Sequence, residues 1–401
     1  MFDYTPFEVV PIGELVLENE NRDPRKSPDW TFQYVDIASV SNSTFEIVSS
    51  KPYVGSDAPS RARKVIREND VIFATTRPYL KSIARVTSDL DGHICSTGFC
   101  VLRPSARVLP EWVFYCASSD DFLEQITPKM RGANYPAVTD KDVLSAKVPI
   151  PPLAEQRRIV ARIKECMERV EEIERLQESV VYDAERLVAA FRYDLWESCS
   201  ASVTPTELRL LIRSTKNGLY KPNNFHGSGS VLLRMFNIDG ARLNLDRIVR
   251  LEVTTKESED YQVCNGDIIV SRVNSRELVG KSALVEGLNE PAVHEAMIIR
   301  LRIDDERVDK RFLVWLMNSP QFLHNLRRRA KHAIGQSSIN QDDLLSSELP
   351  LPSRSEQTAL VKENITLEPF ATELANEYAE KVNILARLRE SILRQAFAGE
   401  L

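Results

Sequence analysis

Several residue patterns that would indicate a metal centre, a disulfide framework or a membrane span are missing from this 401-residue chain. No segment approaches the roughly 18 consecutive apolar residues that cross a bilayer, and the first residues lack the basic and then apolar pattern of a signal sequence. The six cysteines include no C-x-x-C pair, which argues against a zinc knuckle and against a disulfide framework. We therefore expect a cytoplasmic protein that does not contact the membrane.

Catalytic signatures are also missing. Gly280-Lys281-Ser282 resembles the end of a phosphate-binding loop, but Ser275 stands where that loop needs its first glycine. His294-Glu295 lacks the second histidine of a zinc-protease motif, and the five histidines show no ligand spacing. No glycine-rich cofactor loop follows a predicted strand, and no Ser-His-Asp signature is present. The sequence therefore predicts a chain that is not itself an enzyme and holds no metal.

Charge is unevenly distributed along the chain. Hydrophobic residues make up 43% and charged residues 27% of the sequence, which is typical of a folded globular protein. The net charge of −6 argues mildly against a protein that simply coats nucleic acid. However, residues 201–352 contain 21 basic and 19 acidic side chains, whereas residues 1–150 contain 17 and 20. Residues 201–352 are thus net basic.

The sequence repeats at half its length. Shifted by about 200 residues, Glu68–Ile72 faces Asn265–Ile269, and at a shift of 201 residues 142–160 share eight identities with residues 343–361. Helix-start chemistry alone could produce a few Ser, Pro and Glu matches. It does not explain the shared order of strand, helix, loop and long helix, so the repeat predicts an internal duplication.

Each half begins with a mixed globular part. Short β-branched or aromatic runs predict strands, and proline or serine at helix starts predicts the helices that follow. In the first half these are strands at Val71–Ala74, Ile83–Val86 and Gly98–Leu102, a helix from Pro110 and a second helix capped by Ser119. In the second half they are strands at Ile268–Ser271 and Met297–Ile303, a helix from Asp309 and one capped by Ser319.

A long helix ends each half. Apolar residues after position 158 alternate spacings of four and three, which predicts a heptad seam with one polar member. The seam residues are Ile159, Ile163, Cys166, Val170, Ile173, Gln177, Val180, Ala184, Leu187 and Phe191. Gln177 either fixes the register or is simply part-exposed, and the sequence leaves both open.

The second helix begins with the capping-box spacing of Ser353 and Glu356 and has its seam from Leu374 to Ala396. Pro369 should break it, since proline removes a helical hydrogen bond, so its first turns form a separate segment. Because about 160 residues return the chain to the start of the second helix, we expect the two helices to pair antiparallel.

The predicted fold class is therefore α+β. Two mixed α/β domains, residues 1–150 and 199–352, are separated by two long antiparallel helices, residues 151–198 and 353–401, which form a coiled coil. The whole has a pseudo-twofold internal repeat.

Basic, polar and aromatic residues gather in corresponding loops of both halves. Arginine suits guanine edges, asparagine and glutamine suit adenine, and lysine suits phosphate, whereas any one such group can also be a solvated surface. Recurrence in both halves favours a shared ligand. The candidates in the first half are Arg61, Arg63 and Lys64 before the first predicted strand, Arg77, Tyr79 and Lys81 after it, and Asn134 and Tyr135. The candidates in the second half are Lys216, Tyr220, Lys221, Arg272, Asn274, Arg276, Gln336 and Ser337.

With these features the chain resembles the specificity subunits of type I restriction-modification systems over its whole length. Residues 149–160, Pro-Ile-Pro-Pro-Leu-Ala-Glu-Gln-Arg-Arg-Ile-Val, are similar to the family's junction between a recognition domain and a helix, and residues 349–357 repeat them. Residues 132–138 and 335–344 resemble the loops before those junctions. The ending Ser391–Leu401 is similar to the family's usual C-terminus.

The resemblance implies two target-recognition domains, each reading one half of a split, asymmetric DNA site, with the helices acting as a ruler. It also implies two modification subunits and restriction subunits as partners, and places S-adenosylmethionine, ATP and Mg²⁺ on those partners rather than on this chain. Two departures matter: Pro369 interrupts a helix that is usually longer, and the two domains differ greatly in loop sequence, which implies unlike half-sites.

Two other readings stay open at this point. One is a coiled-coil scaffold that has lost DNA recognition, and the other, much less favoured, is an enzyme with an unrecognised nuclease or methyltransferase centre. The first predicts that no bipartite DNA sequence is enriched by the chain, and the second predicts cleavage or methyl transfer by the chain alone.

Overall fold

The structure is a computed structural model that describes residues 5–132, 135–333 and 335–401. By compactness the chain divides into a first unit, Met1–Leu176 with Ala379–Leu401, and a second unit, Gln177–Tyr378. This division crosses both long helices, so each unit holds a mixed α/β domain and a segment of each helix. The domain boundaries predicted at residues 150, 198 and 352 follow the sequence pattern and stay predictions.

The described residues of the first unit form three sheets. Their strands are β1 (Val9–Pro11), β2 (Val16–Leu17), β3 (Thr31–Val35), β4 (Lys51–Val54), β5 (Ala62–Val65), β6 (Val71–Ala74), β7 (Ile83–Arg85), β8 (Ile94–Ser96), β9 (Phe99–Pro104) and β10 (Lys147–Pro149). The strand orders are β1-β10, β2-β9-β6-β7 and β4-β3-β8-β5. Helices α1 (Pro110–Ser118), α2 (Asp120–Ile126) and α3 (Asp140–Leu144) precede α4 (Leu153–Ser200), which continues into the second unit.

The second unit repeats this plan with additional strands. They are β11 (Pro205–Glu207), β12 (Ile212–Asn217), β13 (His226–Leu233), β14 (Ile238–Asp239), β15 (Ala241–Leu243), β16 (Val249–Leu251), β17 (Gln262–Val263), β18 (Ile268–Ser271), β19 (Val273–Asn274), β20 (Ser282–Leu284), β21 (Ala292–His294), β22 (Ile298–Ile303), β23 (Lys331–Ala333), β24 (Gln336–Ser338) and β25 (Glu348–Pro350). The helices are α5 (Thr255–Tyr261), α6 (Lys310–Met317), α7 (Pro320–Arg329), α8 (Gln341–Leu345), α9 (Arg354–Asn364) and α10 (Leu367–Phe397).

Corresponding sheets show that the duplication is structural. The order β9-β6-β7 of the first unit recurs as β22-β18-β20, and β4-β3-β8-β5 recurs as β16-β13-β21-β17. The parallel pair β3 and β8 matches the parallel pair β13 and β21 in an otherwise antiparallel sheet. The strands predicted from apolar runs and the helices predicted from Pro110, Ser119, Asp309 and Ser319 are all present.

The turn before the central strand is built the same way in both units. The Asp70 carboxylate accepts a hydrogen bond from the Arg67 amide at 2.8 Å, and the Asp267 carboxylate accepts one from the Cys264 amide at 2.9 Å. The preceding residue has a positive φ in each case, 67° at Asn69 and 92° at Gly266. Asparagine and glycine tolerate this left-handed backbone, which explains why the sequence match at this turn survives.

A buried glutamine ties each domain to the helix that follows it. Gln156 Oε1 accepts a hydrogen bond from the Leu109 amide at 2.8 Å, while its Nε2 donates to the carbonyls of Pro151 at 2.8 Å and Arg107 at 3.1 Å. Gln357 repeats this geometry with the Asp309 amide and the Pro352 carbonyl, both at 2.8 Å. Both side chains are fully buried. The repeated glutamine of the junction sequence is therefore a structural feature.

The main core of each unit includes residues of the long helices. In the first unit the Trp112 and Phe397 rings meet edge to face with centroids 5.5 Å apart, and Ile159 and Ile163 are buried in the same core. In the second unit Phe191 packs against Trp315 with centroids 5.2 Å apart. Burial of such aromatic side chains anchors the helices to the domains.

The two long helices run antiparallel within each unit, as expected. In the first unit Val170 packs with Leu385 and Ile392, and Arg389 pairs with Glu174 at 2.8 Å. In the second unit the Tyr378 hydroxyl donates to Glu178 at 3.0 Å, and further along α4 Arg192 pairs with Glu368 in a buried ion pair. Rising residue numbers on α4 thus meet falling numbers on α10.

The predicted seam is buried only in part. Ile159, Ile163, Val170 and Ala184 are buried, but Ile173, Val180 and Leu187 are 41%, 51% and 52% exposed. Ile159 and Ile163 belong to the core of the first unit, so contacts with the domain contribute to their burial. A continuous buried seam was therefore a wrong expectation for the middle of α4. Gln177 is half-buried.

The second helix is interrupted near Pro369, as predicted. Helix α9 ends at Asn364 and α10 begins at Leu367, so Pro369 lies in the first turn of α10. Proline is tolerated there because the amide it lacks would have no partner within the helix. No helix among the described residues combines the length and apolar character that crossing a membrane requires.

Candidate nucleic-acid interface

Two loops meet beside the central sheet of the first unit. The loop between β6 and β7 receives the segment that precedes α3: the Arg77 amide donates to the Pro136 carbonyl at 2.7 Å, and the Val138 amide donates to the Thr75 carbonyl at 2.9 Å. Arg77 has a left-handed backbone, with φ of 50°. Its guanidinium lies 4.9 Å from the centre of the Tyr135 ring. Two residues predicted from separate parts of the sequence are thus brought together.

The same pair of loops meets in the second unit. Strand β19 pairs with β24, which places Asn274 opposite Ser337, and the Ile339 amide donates to the Arg272 carbonyl at 2.9 Å. Strand β23 completes this small sheet. The loop after the central strand and the loop before the junction therefore form one surface in each unit, and that surface carries different side chains in the two units.

Exposed tyrosines lie in the loops that carry the predicted contacts. Tyr79 is 48% exposed and Tyr135 is 71% exposed in the first unit, and Tyr220 is 80% exposed in the second. A tyrosine ring with its hydroxyl free of the core can contact a sugar or hydrogen-bond a phosphate oxygen. Their positions fit a polar ligand surface better than a protein core.

The basic residues that precede β6 in the sequence do not all lie in a loop, as we had expected. The structure places Ala62–Val65 in β5, so Arg63 and Lys64 are strand residues. Arg61 is exposed in the turn before β5. Arg63 donates to the Ala62 carbonyl at 2.6 Å and lies 3.4 Å from Asp23.

Lys64 has a structural role in this geometry. It is only 8% exposed, and its ammonium donates to the Phe99 carbonyl at 2.6 Å and forms an ion pair with Asp140. The pairing uses donors that a phosphate would need. We therefore correct the prediction for Lys64 and leave it out of the proposed DNA contacts.

Lys81 is partly neutralised by its surroundings. Its Nζ lies 2.7 Å from Asp120 and 3.8 Å from Glu390. Burial raises the pKa of Glu390, and a hydrogen bond from the Asp120 amide offsets part of this increase. Lys81 can reach a phosphate only by exchanging these partners.

The end of β12 and the loop after it contain two lysines that each pair with a carboxylate, and the exposed Tyr220 lies between them in the sequence. Lys216 Nζ lies 3.2 Å from Asp260 and 4.4 Å from the centre of the Tyr261 ring. Lys221 Nζ lies 2.7 Å from Glu257, and this hydrogen bond lowers the pKa of Glu257 to about 2. The lysines shape the loop, which leaves Tyr220 as its most accessible contact.

This loop also packs against the end of β21 through Gly218. A Cβ at Gly218 would lie 2.2 Å from the carbonyl oxygens of both Glu295 and His294. Only glycine allows this approach, so the position of Tyr220 is fixed by backbone packing.

The predicted residues around β19 differ in accessibility. Arg276 and Gln336 are exposed, whereas Ser337 is only 3% exposed and its hydroxyl meets His332 Nδ1 at 2.8 Å. Arg272 is half-buried and donates to the Ala296 carbonyl at 3.2 Å. Asn274 donates to Ser271 Oγ at 3.2 Å and accepts from the Ser275 amide at 2.9 Å. The exposed pair is better placed than the buried residues to reach a base edge.

The comparisons with known proteins give one family. The family model for the "Type I restriction modification DNA specificity domain" matches residues 4–180. The type I restriction enzyme StySPI specificity subunit of Salmonella potsdam is 27% identical over 320 residues, which are 77% of this chain and 69% of that protein. The EcoKI specificity subunit of Escherichia coli K12 is 24% identical over the same shares of the two chains.

Two solved structures resemble the whole chain. The crystal structure of the HsdS subunit from Thermoanaerobacter tengcongensis is 34% identical, with 98% of this chain and 97% of that chain covered and a TM-score of 0.52. A chain of the structure described as "Structural basis underlying complex assembly and conformational transition of the type I R-M system" is 34% identical, with 99% of each chain covered and a TM-score of 0.77. This chain belongs to the type I specificity subunit family.

A cleft of this specificity subunit contains two residues that the sequence did not single out, Arg234 and Phe236. It measures about 330 Å³ and is lined in part by these residues together with Asn274 and Lys281. The guanidinium carbons of Arg234 and Arg247 lie 5.6 and 4.6 Å from the centre of the Phe236 ring. The sequence signal was weak, an aromatic residue two positions after an arginine, because Arg247 reaches the ring only through the fold.

Asn134, a predicted contact, lies outside the described residues. Among the residues that are described, no group of three or more His, Cys, Asp or Glu side chains is arranged to hold a metal ion.

Proposed function

We propose that this specificity subunit recognises a bipartite, asymmetric double-stranded DNA sequence, with each unit reading one half. The observation that carries the proposal is the duplicated surface: the same two loops meet in each unit, but they present Arg77, Tyr79 and Tyr135 in one and Arg276 and Gln336 in the other. One scaffold with two unlike sets of side chains suits two unlike half-sites.

Direct reading would use the exposed members of these sets. A bidentate contact from arginine to guanine or from glutamine to adenine contributes about 1–3 kcal/mol of discrimination against a wrong base. Contacts to phosphate fix register and orientation without carrying sequence information directly. Arg61 is exposed and suits this second role, whereas Lys81, Lys216 and Lys221 would first have to leave the carboxylates they pair with.

The proposal includes partners and a division of labour. Two modification subunits would carry S-adenosylmethionine and methylate adenine, and restriction subunits would bind ATP and Mg²⁺ and cleave, with no catalysis by this chain. The net charge of −6 supports this division, since a chain of this balance holds DNA best when its partners complete the basic surface. The assembly would act on chromosomal or incoming DNA in the cytoplasm.

A selection experiment tests the proposal. The chain and its purified cognate modification subunit are incubated with randomised duplex DNA, and retarded DNA is recovered from a gel and sequenced. We expect two separate half-sequences at a fixed distance. Enrichment of no sequence would support the scaffold alternative instead.

Two variants assign the halves. Tyr79→Ala should relax only one half-sequence, and Arg276→Ala should relax only the other, because the two residues lie in different units. If each variant altered both half-sequences, the assignment of one half-site to each unit would be wrong.

A further inference from the structure

The second unit contains a basic cleft that lies beside the proposed reading surface. The cleft has a volume of about 550 Å³ and is lined by Arg276, Pro320, His324, Arg327, Arg328 and His332. Arg276 is one of the predicted base contacts, and Arg327 and Arg328 belong to a basic run that the sequence places on a helix, where it suits a solvated face or a phosphate contact rather than base reading. The cleft is joined to the reading surface through His332, whose ring nitrogen meets the hydroxyl of Ser337 on β24 at 2.8 Å.

One arginine of the cleft is fixed in place. Arg327 Nε donates to the Val279 carbonyl at 3.0 Å, and one of its terminal nitrogens donates to the Glu277 carbonyl at 2.6 Å. Burial lowers the pKa of Arg327, and the charge of Glu277 raises it. A guanidinium has five N–H donors, so two carbonyl contacts leave donors available at the cleft.

The other basic side chains are more accessible. Arg276, Arg328, His324 and His332 are exposed. The described part of the chain shows no ion pair or side-chain hydrogen bond for Arg328 or His324. The acidic side chain next to the cleft is Glu277, whose pKa is lowered by its own backbone amide, by the Ser275 hydroxyl and by the charges of Arg276 and Arg327. The residues that line the cleft include three arginines, which make it basic.

The first unit lacks this cluster although it has the same helix. Ser119 caps α2 as Ser319 caps α7, and at the shift of 200 residues Glu124, Thr127 and Pro128 stand where α7 has His324, Arg327 and Arg328. The shared fold therefore forms without these basic side chains. The shared fold does not require Arg328 or His324, and their exposed basic side chains suit an anionic ligand.

We infer that this cleft binds the sugar–phosphate backbone of duplex DNA and makes the second unit the electrostatic anchor of the specificity subunit. Arginine forks match phosphate oxygens, and a contact fixed beside Ser337 and Asn274 would set the register of the reading surface on the duplex. The inference rests on the proposed function, because it names a contact that would support reading of one half-site.

The test measures the salt dependence of binding to a short random-sequence duplex by fluorescence anisotropy. Each phosphate contact contributes about −0.9 to the slope of log K against log salt concentration, so Arg328→Ala should make the slope shallower by about that amount. Arg328→Lys should keep the wild-type slope, since lysine also neutralises a phosphate. The matched control is Lys362→Ala, which removes an exposed cation from α9.

The outcomes separate this inference from the proposed function. A slope unchanged by Arg328→Ala in a folded variant, as judged by circular dichroism, would overturn the inference. So would a loss of affinity that appears only on sequences selected by the wild type, because that result means base reading. Failure of the wild type to select any sequence would refute the proposed function, while the slope on random duplex would still report on the cleft.

Discussion

Replacing Gln156 by methionine should loosen the attachment of the first domain to α4. Methionine is similar in size but removes both hydrogen-bonding groups. The change would leave the Leu109 amide and the carbonyls of Pro151 and Arg107 without the partners that now lie at 2.8, 2.8 and 3.1 Å. A buried group left unsatisfied costs about 1–3 kcal/mol, and water can reach the part-exposed Leu109 and Arg107, so we expect a total loss of about 2–4 kcal/mol.

Hydrogen exchange measured by mass spectrometry localises this effect. Peptides covering residues 105–116 should exchange faster in Gln156→Met, while peptides covering residues 305–316 keep their protection. Gln357→Met should reverse the pattern, since Gln357 makes the equivalent bonds to Asp309 and Pro352. This second variant is the matched control for the first.

Gln156→Glu adds a test through pH. A carboxylate keeps the acceptor for the Leu109 amide but faces two carbonyl oxygens, so burial and these neighbours should raise its pKa in the folded state. A raised folded pKa means that the stabilising contribution is present at low pH and is lost as pH rises through that pKa. The stability of this variant relative to wild type should therefore increase on acidification. Unchanged exchange in Gln156→Met, or equal changes in both units, would refute the reasoning.

Three further predictions concern charge, pH and helix length. Lys64→Met should destabilise the first unit by about 1–3 kcal/mol in urea unfolding, because Asp140 and the Phe99 carbonyl lose their partner. The variant should select the same DNA sequence as the wild type. A change in the selected sequence would show that Lys64 contacts DNA. Burial lowers the pKa of His294 to about 4, so on acidification the unfolded state takes up a proton before the folded state does. The free energy of unfolding, measured with urea, should therefore fall by up to about 3 kcal/mol between pH 6.5 and 4. His294→Gln should reduce this dependence on pH, and an equal dependence in both proteins would contradict the assignment. Inserting one heptad near Gln177, with a matching heptad near Tyr378, should lengthen the spacer in the selected DNA and keep each half-sequence; altered half-sequences would count against the ruler.

Much of the fold follows from local sequence signals. The strands at Val71–Ala74 and Ile268–Ser271, the caps at Ser119 and Ser319 and the break near Pro369 each depend on propensity or capping within a few residues. The duplication was visible because the turn and junction residues are structurally required, as Asp70 and Gln156 show. Where local chemistry determines the structure, the sequence was sufficient.

What the sequence could not supply depends on contacts between distant segments. It placed Lys64 in a loop with its basic neighbours, because its partner Asp140 lies far along the chain. It expected a continuous heptad seam, because periodicity cannot show that Ile159 is covered by a domain core while Val180 is exposed. The meeting of Arg77 with Tyr135 likewise required the two loops to be joined by backbone hydrogen bonds.

The central claim is that one chain reads two unlike half-sites through two copies of the same surface. Methylome sequencing of cells that express this chain with its cognate modification subunit tests it most directly. We predict one methylated motif composed of two different half-sequences separated by a spacer of constant length and unspecified sequence. A single continuous motif, or no motif that depends on this chain, would contradict the account.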